Sequence, residues 1–476
     1  MENLLLSFQT DLGSISTEIL SLQQQSVEMN LRLRNRQAVR GELSQFVDDL
    51  VVTEQLIQTI LDTPVTEQAF LEQLQVLDHK IAFIKEQGFR EARAAVDVRD
   101  VLEKLKVKAV TKIREFLLLK INQLKKPLAN FQIPQNAMLR FKFYFRFLQS
   151  VNREVAREVR DEYVDTMGKI IFSYFKSYTG RLARLQFEEA ASREDLLGAE
   201  EAQAKGFFFK PSLRNKTTVF SVGSRGEVLG DELEAAIIVP HAQQKSEQKF
   251  PFEMLFRSVQ YAMVDNACRE FLFISEFFIL DAATALEIFN TIFGKTIQLL
   301  VKHCDSYTSD SFDCIAIFLC IHLVQRYQLL CHKRCVPGLD RYWETLQGLL
   351  WPRLQTVMQM NISSVRECSL RREARPLEVR PHYITRRYAE FAAAMVGVNE
   401  TFPHEQMNRL LAVLQEEVEG LLLRLASRFP SRRDQLLFLI NNHDLVVSIV
   451  VERTRDDSKE SEAFREHLKA SIVFVP

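Results

Sequence analysis

From Leu5 to Leu33 the apolar positions recur at alternating steps of three and four: Leu5, Phe8, Leu12, Ile15, Ile19, Leu22, then Met29 and Leu33, with Ser26 interrupting. Gly13 and Gly41 have neither glycine nor proline between them. A repeat of about 3.5 residues keeps one narrow stripe on the same side of a helix, which specifies a coiled coil. The flanks hold Gln9, Ser16, Gln23 and Asn30 on one side and Asp11, Glu18, Gln25 and Arg32 on the other. They carry no self-complementary charge pattern, so a different partner and a second copy both stay open. A stripe this narrow buries little against its own globular body. The eight apolar residues are therefore the expected assembly face, within a coiled-coil segment spanning 1–60.

Beyond it, Asp62-Thr63-Pro64 predicts a helix start, with Pro64 near the first helical position. The next seam runs Phe70, Leu74, Leu77, Ile81 and Ile84, and a further helix carries Val98, Leu102, Leu105, Ala109, Ile113, Phe116 and Leu124 before stopping ahead of Pro127. Such helices stacked antiparallel predict a bundle over 61–190. Its later part is dense in aromatics (Phe141, Phe143, Tyr144, Phe145, Phe147, then Tyr163, Phe172, Tyr174, Phe175, Tyr178), with bases at Lys125, Lys126, Arg140, Lys142 and Arg146. One reading is a membrane or nucleic-acid face; the other is core aromatics with snorkelling bases. Aromatics on all sides of the helices favour the core.

Helical periodicity fails over 191–250, where five of the 15 glycines fall (198, 206, 223, 226 and 230). Lys205 to Lys216 reads as an ordered loop, and Thr217–Val222 and Ala236–Val239 as candidate short strands, making this window a junction. From Pro251 helices resume over about 251–279, 282–303, 311–333, 339–361, 382–399, 404–428 and 431–452, with turn chemistry at Cys335–Gly338 and Arg428–Ser431. The predicted fold is all-α: an N-terminal coiled coil followed by elongated helical-bundle rods, the C-terminal ones over 251–470.

Composition agrees. The 476 residues are 47% hydrophobic and 26% charged, with 35 Phe but only 15 Gly and 13 Pro, which suits long packed helices. A net charge of −1 lacks the basic footprint of a general nucleic-acid binder. No secretory signal is visible after Met1-Glu2, and Ile315–Val324, the most apolar later run, falls short of the roughly 20 residues of a spanning helix. Any membrane contact is expected to be peripheral. Seven cysteines without framework spacing read as free thiols in a reducing compartment. On that reading the glycosylation patterns at Asn215, Asn361 and Asn399 are chance matches.

Catalytic patterns are weak. Gly294-Lys295-Thr296 imitates the end of a phosphate-binding loop, yet position 289 is Phe where that loop needs Gly, and the segment lies in a helix. His322, Cys331, His332 and Cys335 lack the second ligand pair of a structural zinc site. His303-Cys304-Asp305 are helix neighbours that point about 100° apart. Glu188-Glu189 and Glu416-Glu417 read as solvated surface. No catalytic, cofactor or metal residue is assigned.

Several strings resemble one family. They are Glu28-Met-Asn-Leu-Arg-Leu-Arg-Asn-Arg-Gln-Ala-Val-Arg40, Lys106–Phe116, Arg160-Asp-Glu-Tyr-Val164, Lys205-Gly-Phe-Phe208, Lys210-Pro-Ser-Leu-Arg214, Arg380-Pro-His-Tyr-Ile-Thr-Arg-Arg-Tyr-Ala-Glu-Phe391 and Gln435-Leu-Leu-Phe-Leu-Ile-Asn-Asn442. From about Gln9 to about Ala470 the chain is similar to the vacuolar protein sorting-associated protein 52 family, subunits of the Golgi-associated retrograde protein (GARP) tethering complex and its endosomal relative. The resemblance implies a non-catalytic subunit that assembles with sister subunits through the N-terminal coiled coil. It also implies contact with a Rab-class small GTPase and SNARE proteins, in endosome-to-trans-Golgi transport, endocytic recycling and lysosomal sorting. The expected location is the cytosolic face of the trans-Golgi network and recycling endosomes. Against the family pattern, an acidic leader and more coiled coil are expected ahead of this start. Further helices are expected where the tail 471–476 instead reads Ser-Ile-Val-Phe-Val-Pro, as in a shortened product.

Overall fold

The computed structural model describes residues 2–87, 93–126, 131–187, 191–199, 219–230, 249–370, 378–400 and 402–453, with 233 and 238 singly. Among these there are fourteen α-helices, and the only strand-like pairing is one parallel bridge between Gln186 and Phe250. Two compact units divide at Tyr163/Val164.

The first unit opens with α1 (Glu2–Leu50), followed by α2 (Glu54–Asp62), α3 (Gln68–Gln87), α4 (Arg93–Leu124), α5 (Gln132–Arg140), α6 (Lys142–Val151) and the start of α7 (Arg153–Ala183). The segment expected over 1–60 is thus one helix only as far as Leu50. Residues 54–62 already belong to the bundle, where Leu56 and Ile60 are fully buried. Thr53 caps α2, its hydroxyl accepting from the Leu56 N–H at 3.3 Å. Asp62-Thr63-Pro64 proves to be a helix end rather than a start. Pro64 disfavours helical backbone at Thr63, and α3 begins only at Gln68.

Two lysines hold helix ends in place. Lys80 of α3 donates to the Asp48 and Asp49 carbonyls (2.9 and 3.2 Å) at the foot of α1, where Phe46 meets Phe83 edge-on at 5.8 Å. Lys112 of α4 donates to Ile60, Leu61 and Thr63 carbonyls (3.1, 3.0 and 2.9 Å) at the end of α2. Each ammonium satisfies carbonyls with no intrahelical partner and sits at the negative end of a helix dipole. The seam of α3 is buried at Phe70, Leu74, Leu77 and Ile84 and half-buried at Ile81; α3 packs on α4, where Leu102, Leu105, Ala109, Ile113 and Leu117 are buried.

Most of the aromatic stretch lies in the core, with Tyr174 left exposed. Tyr144, Phe145 and Phe147 are buried while Lys125, Lys126, Arg140, Lys142 and Arg146 are exposed. Tyr144 stacks on Phe141 at 5.1 Å, meets Phe70 and Phe116 edge-on, and donates its hydroxyl to the Val65 carbonyl at 2.5 Å.

In the second unit, α8 (Phe252–Phe277), α9 (Ala282–Asp310), α10 (Cys314–Lys333), α11 (Asp340–Leu370), α12 (Tyr383–Asn399), α13 (Glu405–Ala426) and α14 (Arg432–Arg453) follow in order. Helix α10 packs on α8, α11 and α12, and every residue from Ile315 to Val324 is buried. Helices α10 and α14 are long and apolar enough to cross a membrane by length and composition, but α10 is the core helix of this unit. Residues 219–220 bend and 221–222 are irregular, where a strand was considered over 217–222. Positions 217, 218, 236, 237 and 239, the loop at 205–216 and the tail 471–476 lie outside the described residues.

Candidate assembly surface

The residues that specified the stripe all lie on α1 and all face solvent. Leu12 is 58% exposed, Ile19 50% and Met29 69%, and Leu5, Phe8, Ile15, Leu22 and Leu33 are similarly open. Nothing in the described chain covers them before Phe46 and Leu50, where the foot of the helix docks on α3. A free helix is normally held by short-range pairs worth a few tenths of a kcal/mol each. Among the described residues, Arg32–Glu28 is the one ion pair formed within α1, and Asp49 near its end faces His79 of α3 at 4.0 Å. Eight large apolar side chains thus stand in water along one side of α1.

The chemically suggestive motifs come apart in space. Gly294-Lys295-Thr296 is inside α9, with Thr296 fully buried. Cys304 faces inward and burial pushes its thiol up to about 12, while His303 and Asp305 are exposed, so nothing activates a nucleophile there. His322 is buried against Phe318 (4.5 Å between rings), neither ring nitrogen has a hydrogen-bond partner, and burial drives the imidazole down to about 3. It is a neutral core histidine. Cys331 is buried and Cys335 exposed, and no set of three or more His, Cys, Asp or Glu able to hold a metal occurs among the described residues. The Cys268 thiol, drawn down to about 7 first by a hydrogen bond from Cys331 and then by Arg334, is buried in the interior.

Two arrangements escaped the sequence reading. Arg225, in a short 3-10 segment (Gly223–Leu229), pairs through Nε with Glu253 at 2.5 Å and through Nη2 with Asp313 at 2.8 Å. Glu253 is 1% exposed. Burial lifts its carboxyl above the ordinary range, although Arg225 pulls the other way. The second is a strap at 191–199. The Leu197 N–H donates to Asn361 Oδ1 and the Gly198 N–H to Ser364 Oγ (both 3.0 Å), and Arg387 Nη1 donates to the Ala199 carbonyl at 2.7 Å. The partners are 164 to 188 residues apart in sequence, so no local pattern signals them.

The distinctive strings Arg380–Phe391 and Gln435–Asn442 meet at the start of α12. Asn442 Oδ1 accepts from the His382 N–H (2.8 Å) and from the Thr385 hydroxyl (2.6 Å), and its amide donates to the Phe438 carbonyl at 2.7 Å. Arg387 lies over the Tyr383 ring at 5.0 Å. These residues join α12 to α14.

Comparison with known proteins decides the family. Residues 1–148 match a family model described as Vps52/Sac2 family, coiled-coil, and residues 165–475 one described as Vps52, C-terminal. The chain belongs to the Vps52 family. The two matches adjoin across the division of the fold at Tyr163/Val164, and the first contains the whole of α1. Among curated Vps52-type relatives, the vacuolar protein sorting-associated protein 52 homolog of Homo sapiens is 53% identical over 471 residues, 99% of this chain and 65% of its own length. The Caenorhabditis elegans homolog is 39% identical over 97% of this chain. The Schizosaccharomyces pombe protein is 24% identical over 98% of this chain and 92% of its own length. The chain therefore spans just under two thirds of the human relative.

Proposed function

We propose that the chain is a non-catalytic subunit of a vesicle-tethering complex, of the GARP type, serving endosome-to-trans-Golgi retrograde transport and endocytic recycling. It assembles with sister subunits through the α1 stripe. The observation that carries this reading is the heptad face of Leu5, Phe8, Leu12, Ile15, Ile19, Leu22, Met29 and Leu33, which the described residues leave uncovered on a helix that docks at its foot. The relatives' name supplies the trafficking context: each is a vacuolar protein sorting-associated protein. Under this reading the chain sits as a peripheral protein on the cytosolic face of the trans-Golgi network and recycling endosomes, and Rab-class GTPases and SNAREs meet the helical units behind the coiled coil. The assembled stripe excludes water, so an acid in it is a buried charge without a partner.

Affinity purification of the tagged chain from cells, beside a Leu12→Asp/Ile19→Asp double variant, tests this. Recovery of other tether subunits with the native chain and their loss with the variant is the expected result. Equal recovery with both moves assembly away from α1, and recovery with neither removes the tether reading. A self-associating scaffold is the second reading, and dimerisation of the N-terminal segment alone would favour it.

A further inference from the structure

The three-and-four alternation does not end at Leu33. Its next positions are Arg36 and Arg40, and then Leu43, Val47 and Leu50 resume the apolar stripe. Two arginines thus occupy consecutive core positions in an otherwise apolar seam. Both are exposed, and neither makes an ion pair among the described residues. With Arg32 and Arg34 they form a run of four bases between Glu28 and Glu42 that contains no acid. Arg36, Val39, Arg40, Leu43 and Val47 share one open face of α1 at the same place.

Resting on the assembly reading above, we propose that this double-arginine layer selects the partner: a helix of another protein bearing Asp or Glu at two consecutive core positions, bracketed by apolar ones. A guanidinium enclosed by a coiled coil without a counter-charge is costly, whereas a carboxylate facing it forms a charge-assisted and often bidentate pair. The surface itself disfavours a second copy of this chain. The stripe positions from Leu5 to Leu50 include no Asp or Glu, so no register of self-pairing places an acid at the core opposite Arg36 or Arg40. A parallel in-register pair sets Arg36 against Arg36 and Arg40 against Arg40, and like charges in an interface reject that partner. The apolar part of the seam supplies adhesion and the arginine layer supplies choice and register.

The test uses the full chain and synthetic helical peptides with leucine at every core position except the two that face Arg36 and Arg40. One pair of peptides carries Glu there, placed for parallel or antiparallel pairing, and a matching pair carries Lys. Fluorescence anisotropy is expected to show a Glu peptide binding about tenfold or more tightly than its Lys counterpart. Arg36→Glu/Arg40→Glu should invert that order, and Leu12→Asp/Ile19→Asp should abolish binding of both. Equal affinity for Glu and Lys peptides, with binding still lost in the Leu12/Ile19 variant, overturns the arginine layer and leaves the seam standing. Failure of the native chain to bind any peptide overturns the seam reading and this inference with it. Sedimentation supplies a further arm. A native dimer that dissociates in the Leu12/Ile19 variant but persists in Arg36→Glu/Arg40→Glu identifies the occupant as a second copy and overturns the proposal.

Discussion

At Gly198 the strap passes so close to α11 that a Cβ would stand 2.1 Å from the Ser364 carbonyl oxygen. That neighbour is backbone and cannot turn aside. Gly198→Ala should therefore displace the strap and cost about 1–3 kcal/mol, read as a lower midpoint in chemical denaturation. Arg225 poses a different problem. Its removal leaves Glu253 charged in the interior, so Arg225→Ala should cost about 3–5 kcal/mol at neutral pH. The pH dependence has a definite sign. Burial already raises the Glu253 carboxyl, and loss of the arginine raises it further, making the neutral acid the form that the folded state tolerates. The deficit of the variant is then full at neutral pH and shrinks as pH falls through that raised value, which parallel melts at neutral and mildly acid pH would show. Neither residue was legible in the sequence. Gly198 and Arg225 both fall in the window where periodicity fails, and Arg225 meets carboxylates 28 and 88 positions away.

Helices were far more legible than the residues that hold them together. The seams of α3 and α4 and the run of helices from α8 to α14 follow from 3.6-residue spacing, because one face of each must be buried and that requirement is written locally. Ends are set by competition between local chemistry and distant side chains, and here the distant ones matter. Asp62-Thr63-Pro64 carries start signals, yet α2 finishes there, held by Lys112 from 49 residues away. The lysine caps make a testable claim. Lys80→Met keeps the aliphatic stem but removes the donor to Asp48 and Asp49. Hydrogen exchange at the last turn of α1 should quicken in this variant, with the interior of α4 unchanged.

For the chain as a whole, the contrast between α1 and the packed units predicts how it is attacked. Among the described residues nothing buries α1 ahead of Phe46, and helical stability in water comes mostly from packing. Limited tryptic digestion of the isolated chain should cut first within Arg32–Arg40, releasing the N-terminal piece while both units survive. A bound partner should suppress those cuts. The stripe itself was legible because its three-and-four spacing is written in the sequence; that the described residues leave it bare came from the structure. What sequence could not supply was the mounting: that α1 ends at a buried Leu50, and that Lys80, the Phe46–Phe83 pair and His79 facing Asp49 meet its base.

That mounting turns α1 into a lever. From Leu5 to Leu50 a straight helix runs roughly 68 Å, while its seat between Phe46 and Leu50 is only about 6 Å long. A shift of a few tenths of an ångström between Lys80 and the carbonyls it grips therefore displaces Leu5 by several ångströms. Clearance at the fulcrum sets the arc that the stripe can trace, and by the same ratio any sideways load on the stripe reaches the base as torque.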